Sequence, residues 1–178
     1  MKEWENMKQI RIDHINRQNE KAFYDLAAEY LPGSNPDKMK QYALRFPKAF
    51  LALMLEDQVI GVAYGWLRKP EFQDDDSFAL DGIAIRCEYQ KKGYGRTLLT
   101  AFESSAREYG ATEVSLGSAG GYVEKFYMDC GYLPREYKVW KNGITVVEKT
   151  FHSIEEYASY EQRPSDGFVV MYKRLSVC

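Results

Sequence analysis

The sequence is short of the residues that define several large classes of protein. It has only three cysteines and two histidines among 178 residues, and no two cysteines form a C-x-x-C pair. This composition gives no basis for a disulfide framework or a zinc site, so we predict no metal. Cysteines of this number and spacing indicate reduced thiols in a cytoplasmic protein.

The chain also lacks any strong charge excess or long apolar run. Its net charge is −2, with acidic and basic residues mixed along the chain and no basic stripe, so nucleic acid is not expected as a partner. No segment approaches the roughly 20 apolar residues that cross a bilayer, and the polar N-terminus predicts no signal peptide. The length fits a single domain spanning residues 1–178.

What is present is an alternation of strand and helix patterns. Two apolar runs, Phe50–Leu55 and Val59–Tyr64, flank a short polar turn and predict a hairpin buried on both faces. Apolar residues recur at helical spacing from Ala22 to Leu31 and predict a first helix. Asn35-Pro36 predicts the start of a second helix. A two-residue turn signal at Asn142-Gly143 lies between strand patterns near the C-terminus, and Ser153–Glu156 after it resembles a capping box that opens a short helix. These patterns predict one α+β domain with a mixed sheet.

The most informative segment joins a strand to a helix and reads Gln90-Lys91-Lys92-Gly93-Tyr94-Gly95-Arg96. A helix N-terminus presents unpaired backbone N–H groups, and glycine lets the backbone approach an anion closely. The segment therefore suits a pyrophosphate, although a turn that uses glycine for geometry alone is the competing interpretation. Leu98 stands where a dinucleotide fingerprint needs glycine, and the spacing does not fit a P-loop.

Two motifs in order give a specific resemblance to a known family. The strand Leu80–Ile85 followed by the glycine segment resembles the [RQ]-x-x-G-x-[GA] core motif of the GNAT superfamily of N-acetyltransferases. The run Val123–Tyr132 resembles that family's A-x-x-F-Y-x-x-x-G-[FY] block, and Met171–Leu175 resembles its last strand. The resemblance implies a GNAT fold, with a mixed, mostly antiparallel sheet of six to seven strands and about four helices.

The resemblance also implies a cofactor site for acetyl-CoA as cosubstrate. Backbone groups of the strand would pair with the pantetheine arm as a further strand does, and backbone N–H groups of the glycine segment would hold the pyrophosphate. The family's side-chain Asn is replaced here by Gly120, so Ser118 is the candidate to supply that contact. The complete set of predicted cofactor-binding residues is Ile83, Ala84, Ile85, Gln90, Lys91, Lys92, Gly93, Tyr94, Gly95, Arg96 and Ser118.

The catalytic candidates are Tyr127 and Asp81. In the resemblance, Tyr127 protonates the leaving thiolate, whereas its position on an apolar helix face also fits a core residue. Acetyl transfer needs a neutral amine, and Asp81 on the cofactor strand is the predicted general base, with a solvent-facing strand residue as the alternative. Glu71 and Glu88 are weaker candidates for the base.

These expectations point to an N-acetyltransferase that acts on a primary amine of a small molecule, or less favourably of a protein, by direct attack in a ternary complex. The alternative function is a non-catalytic acyl-CoA-binding regulatory domain. Residues 142–167 are predicted as an insertion that covers the acceptor side or forms a contact between two copies in a homodimer.

Overall fold

A mixed sheet forms the centre of the molecule. The computed structural model describes residues 9–68, 77–118, 122–161 and 166–176. The strands are β1 (Ile10–His14), β2 (Phe50–Leu55), β3 (Gln58–Leu67), β4 (Ser77–Ile85), β5 (Glu113–Ser118), β6 (Leu133–Lys141), β7 (Ile144–Thr150) and β8 (Gly167–Arg174). Their order across the sheet is β1-β2-β3-β4-β5-β8-β6-β7. Only β4 and β5 pair in parallel, so the expected mixed and mostly antiparallel sheet is confirmed.

Five α-helices pack on the sheet within the described ranges. They are α1 (Glu20–Tyr30), α2 (Pro36–Arg45), α3 (Tyr94–Glu108), α4 (Tyr122–Asp129) and α5 (Ile154–Ser159). The caps follow the sequence signals: the Asn35 side chain accepts from the backbone N–H of Lys38, and the Ser153 hydroxyl accepts from that of Glu156. No helix in this part of the chain combines the length and apolar character needed to span a bilayer.

The counts slightly exceed the expectation of six to seven strands and about four helices. The additional elements, β7 and α5, both belong to the 142–167 segment. Asn142 and Gly143 adopt positive φ angles of 52° and 79°, and β7 folds back antiparallel to β6. Because β7 has no buried face, its residues lack the apolar pattern that marks an inner strand.

The sheet separates two apolar clusters. On one side, which we call the α1–α2 face, Phe23, Leu26 and Met39 pack against alternate residues of β2 and β3. On the opposite α3–α4 face, Leu98 and Phe102 pack with residues of α4 and α5. Every residue of β2 is buried, which confirms the prediction that the hairpin strands are covered on both faces.

A buried ionic cluster fixes the position of α3 against the turn that follows α4. Glu103 of α3 is almost completely buried, and the Lys173 ammonium of β8 lies 2.8 and 2.9 Å from its two carboxylate oxygens. The Tyr132 hydroxyl donates to the same carboxylate at 3.1 Å. The carboxylate thus connects α3, β8 and the end of the α4 turn through charge-assisted hydrogen bonds.

We expect Glu103→Ala to lower the free energy of unfolding by about 3 kcal/mol, because it leaves a cation and a hydroxyl without their partner. Lys125→Ala removes an exposed ion pair with Asp129 and is the matched control, for which we expect a change below about 0.5 kcal/mol. Urea unfolding followed by circular dichroism measures both. Equal effects of the two substitutions would contradict a stabilising role for the cluster.

Candidate functional site

The central strands separate partway along their length. The parallel pairing of β4 with β5 runs from Ser77 and Glu113 to Leu80 and Leu116 and ends there. Beyond this point β4 stays paired with β3, whereas β5 stays paired with β8. The two strands therefore enclose an opening between the last residues of β4 and the end of β5.

A β-bulge marks the start of this opening. Tyr64 pairs with Gly82 and Gly65 pairs with Leu80, so Asp81 is the extra residue between two paired positions. A bulge bends its strand, increases the local twist and re-aims the side chain of the extra residue. The bulge at Asp81 thus lies where β4 turns away from β5.

The edge of β4 that faces the opening keeps backbone groups available. Arg86 donates its backbone N–H to the Ile60 carbonyl, so in this antiparallel ladder Ala84 also points its backbone groups at β3. Ile83 and Ile85 point theirs toward the opening, where no strand of the described residues pairs with them. Of the three predicted residues, Ile83 and Ile85 thus present backbone groups to a ligand, and Ala84 does not.

The glycine segment leads directly into α3 beside this edge. Gly93 caps the helix with φ of +84°, and Lys91 before it also has a positive φ of 60°. The first backbone bond of the helix joins the Thr97 N–H to the Gly93 carbonyl at 3.1 Å. The N–H groups of residues 94–96 come before this bond, so they have no intrahelical acceptor and suit an anion. This arrangement agrees with the predicted roles of Tyr94, Gly95 and Arg96 in backbone contacts.

The side chains of the segment have protein partners of their own. The Gln90 amide donates to the Ile85 carbonyl at 2.8 Å and so occupies one acceptor of the exposed edge. The Lys92 ammonium donates to the Glu88 carbonyl at 3.1 Å, and an Arg96 guanidinium nitrogen donates to the Asp129 carbonyl at 3.1 Å. These hydrogen bonds restrain the conformation of the segment, and its positively charged side chains belong to residues at or just before the N-terminus of α3.

Ser118 lies on the β5 side of the opening, opposite the β4 edge. Its side chain is 2% exposed, and its hydroxyl oxygen has no hydrogen-bond partner among the described residues. A buried hydroxyl normally finds a partner, because leaving it unpaired costs about 1–3 kcal/mol. Ser118 therefore provides an unused donor and acceptor at the place where the sequence predicted a cofactor contact.

Tyr127 lies on the α3–α4 face. Its ring is buried and packs edge-on against the rings of Phe126 and Tyr132 at centroid distances of 5.3 and 5.7 Å. Its hydroxyl donates to no group in the described part of the chain. Burial raises the pKa of this hydroxyl well above that of a free tyrosine, so it stays protonated at neutral pH.

Asp81 belongs to the other face. Its charge acts on the buried hydroxyl of Tyr64, one of the core residues of the α1–α2 face, and raises the pKa of that hydroxyl further. The Asp81 residue is exposed to solvent, as the alternative interpretation of the sequence expected, but partial desolvation of its carboxylate raises its pKa above the ordinary aspartate value, while the nearby Lys38 acts in the opposite direction. Because a higher pKa makes a carboxylate a stronger base, the environment of Asp81 suits proton acceptance.

An aromatic group beside Asp81 was missed in the sequence. The rings of Tyr42 and Trp66 stack with centroids 4.2 Å apart, and the Lys38 ammonium lies 4.7 Å from the Trp66 centroid. The signals were present, since Lys38 and Tyr42 are four residues apart on α2 and Tyr64 and Trp66 alternate along β3. Only the tertiary structure brings α2 over this part of the strand.

The remaining predicted residues lie elsewhere. Glu88 is exposed in the turn after β4, and backbone and Cys87 hydrogen bonds hold its pKa below the usual range, which makes it a poor base. Glu71 and Gly120 lie outside the described residues. In the 142–167 segment, Tyr157 of α5 donates a hydrogen bond to buried Glu124 of α4, so this helix packs on the α3–α4 face.

Acidic, cysteine and histidine side chains do not gather around a common point. In the part of the chain that the structure describes, no three of them are placed to hold a metal ion.

Comparisons with known proteins bear on the family and the fold. The Acetyltransferase (GNAT) family model matches residues 17–132. Ard1 from Thermoplasma volcanium has a TM-score of 0.68 at 16% identity, over 94% of this chain and 99% of that one. Arabidopsis thaliana Naa50 in complex with a bisubstrate analogue has a TM-score of 0.68 at 15% identity, over 93% and 99% of the two chains.

A Bacillus subtilis acetyltransferase in complex with CoA has a TM-score of 0.65 at 19% identity, over 94% of this chain and 100% of that one. At these identities the solved structures show the fold alone. A comparison with curated protein sequences finds no match.

We expect Gly93→Ala to weaken acetyl-CoA binding at least about tenfold, because a methyl group enters the space where the backbone meets the anion. Gly110→Ala is the matched control. Both glycines have positive φ, and a Cβ built on either has no atom within 4 Å, so both substitutions cost about 1–2 kcal/mol of stability. Isothermal calorimetry should show weaker binding only for Gly93→Ala, and equal affinities would mean that the loop is only a turn.

Ser118→Ala should leave stability unchanged or raise it, since it removes an unpaired buried hydroxyl, and should lower acetyl-CoA affinity about 2- to 10-fold. Ser115→Ala, three residues away on the same strand, removes a hydroxyl that lies 3.3 Å from that of Ser77. The control should lose about 1 kcal/mol of stability and keep its affinity. Calorimetry and thermal melting of the two variants should thus show opposite patterns; unchanged affinity of Ser118→Ala would exclude the predicted contact.

Proposed function

The chain belongs to the GNAT family of acetyltransferases, and from this premise we propose that it transfers an acetyl group from acetyl-CoA to a primary amine of a small molecule, by direct attack in a ternary complex. Acetyl-CoA is the cosubstrate of this family. The observation that carries the proposal is the opening between β4 and β5. It combines an unpaired strand edge, a helix N-terminus and an unpaired buried hydroxyl.

The residues of the opening fit the parts of the cosubstrate one by one. Ile83 and Ile85 offer strand-like hydrogen bonds to the amide groups of the pantetheine arm. The backbone N–H groups of residues 94–96 offer donors to the pyrophosphate, which Gly93 allows to come close. Ser118 offers a contact from the β5 side. These contacts hold the thioester at the point where the strands separate.

The two catalytic candidates belong to opposite faces of the sheet. In the reaction the amine nitrogen bonds to the acetyl carbonyl carbon as the bond to the CoA sulfur breaks. Asp81, on the α1–α2 face, takes up the proton that the nitrogen loses, directly or through water. Tyr127, on the α3–α4 face, gives its proton to the departing sulfur and regains one from solvent.

The surroundings of the opening support the remaining parts of the proposal. The near-neutral net charge favours a small molecule over a nucleic acid as acceptor, and a peptide is the less favoured choice. The cysteines Cys87 and Cys130 are free thiols, in keeping with a cytoplasmic location. On this reading the 142–167 segment supports α4, and therefore Tyr127, from the side.

The test of the function is release of CoA thiol from acetyl-CoA in the presence of pooled amines and peptides. We expect release that depends on the amines and matches an acetylated product in mass spectrometry. Binding of acetyl-CoA without thiol release from any pool would contradict the proposal and favour a non-catalytic acyl-CoA-binding domain.

Tyr127→Phe should lower kcat and kcat/KM together by about 10- to 100-fold with little change in acetyl-CoA affinity, because proton donation assists only as the C–S bond breaks. Its stability should be nearly unchanged, since the hydroxyl has no partner in the described residues. Tyr132→Phe is the matched control: its ring is the neighbour of Tyr127, but its hydroxyl donates to Glu103. It should lose about 1–2 kcal/mol of stability and keep kcat. A normal kcat for Tyr127→Phe would show that the Tyr127 hydroxyl is not the acid and that the residue serves only in packing.

A further inference from the structure

Lys38 lies on the α1–α2 face and forms no ion pair with any of the described residues. The ammonium of Lys38, in the first turn of α2, is 4.7 Å from the ring centroid of Trp66 and 5.9 Å from that of Tyr42. Trp66 is only 7% exposed, so Lys38 and Tyr42 cover it from the solvent side. No carboxylate of the described residues lies within ion-pair distance of this ammonium. Aromatic rings hold the ammonium in place. Because no described carboxylate neutralises it, it can bind an anionic ligand.

The same lysine lies close enough to Asp81 for their charges to interact. Tyr64 and Trp66 are alternate residues of β3 on one face, with ring centroids 6.3 Å apart. Gly82, the neighbour of Asp81, pairs with Tyr64. The positive charge of Lys38 lowers the pKa of Asp81, against the effect of burial. The α1–α2 face thus carries the negative charge of Asp81 near the positive charge of Lys38, and the two residues form no salt bridge with each other.

We propose that the acceptor is a small molecule with a carboxylate next to its amine, the pattern of a free amino acid, and that Lys38 binds the carboxylate while Asp81 receives the amine. The proposal rests on the proposed transfer to a primary amine. A zwitterionic amino acid complements both charges, since its carboxylate is opposite in sign to Lys38 and its ammonium is opposite in sign to Asp81. A plain amine would leave Lys38 unpaired, and a diamine would bring a second cation toward it.

The size of the expected preference follows from the kind of contact. A hydrogen bond between an ammonium and a carboxylate is charge-assisted, and the aromatic rings reduce the mobility that Lys38 would lose on binding. We therefore expect a free amino acid to exceed its decarboxylated amine by about 10- to 100-fold in kcat/KM. Because the contact to the carboxylate is made equally in the bound substrate and in the transition state, most of this difference should be in KM.

The experiment compares each amino acid with the amine formed by its decarboxylation, for example tyrosine with tyramine. Thiol release and mass spectrometry of the product give kcat and KM for the unchanged protein and for Lys38→Met, Lys38→Arg and Lys40→Met. Lys40 is the matched control, since it is exposed on the same helix and its ammonium lies 5.7 Å from the Tyr24 ring. Thermal melts show that each variant is folded.

We expect the amino acid to be preferred by the unchanged protein, and the preference to fall toward unity in Lys38→Met. Lys38→Arg should keep part of it, and Lys40→Met should keep all of it. Equal rates for the amino acid and its amine in the unchanged protein, or a full preference in Lys38→Met, would overturn the assignment. Acetylation of amines without preference leaves the proposed function intact, whereas the absence of thiol release with every acceptor overturns both proposals.

Discussion

The candidate site depends on where the parallel pairing of β4 and β5 ends. Two parallel strands stay paired only while the hydrogen-bond ladder between them continues. The ladder between β4 and β5 ends at Leu80 and Leu116. The bulge at Asp81 bends β4 at the next residue. This constraint leaves β4 with an edge that no strand of the described residues covers, and α3 begins beside that edge.

The sheet also divides the chemistry between its faces. The α3–α4 face carries Tyr127 in a cluster of rings, and the buried Glu103 carboxylate holds the turn after α4 through Tyr132 and Lys173. The α1–α2 face carries Asp81 next to an aromatic surface. The α3–α4 face thus carries a protonated hydroxyl and the α1–α2 face a carboxylate of raised pKa, each with its own packing environment.

Local signals in the sequence gave much of the fold and part of the site. Asn35-Pro36, Ser153 and Asn142-Gly143 mark helix starts and a turn because their conformational preferences act within a few residues. The glycine segment was recognisable for the same reason. The sequence also predicted the 142–167 segment and the strand patterns beside its turn. It did not predict that β7 is exposed on both faces, because exposure depends on what packs against the strand.

The sequence by itself determined the two-face burial of the hairpin, the glycine cap of α3 at Gly93 and the identity of the family motifs, since each depends on neighbouring residues. Only the tertiary structure decided that Ala84 points away from the opening and that Ser118 has an unpaired hydroxyl. It also decided that Lys38 lies over Trp66 beside Asp81. These features depend on strand register and on the packing of α2, and both involve residues far apart in the chain. They therefore produce no pattern of apolar and polar residues within a single segment from which they could be predicted.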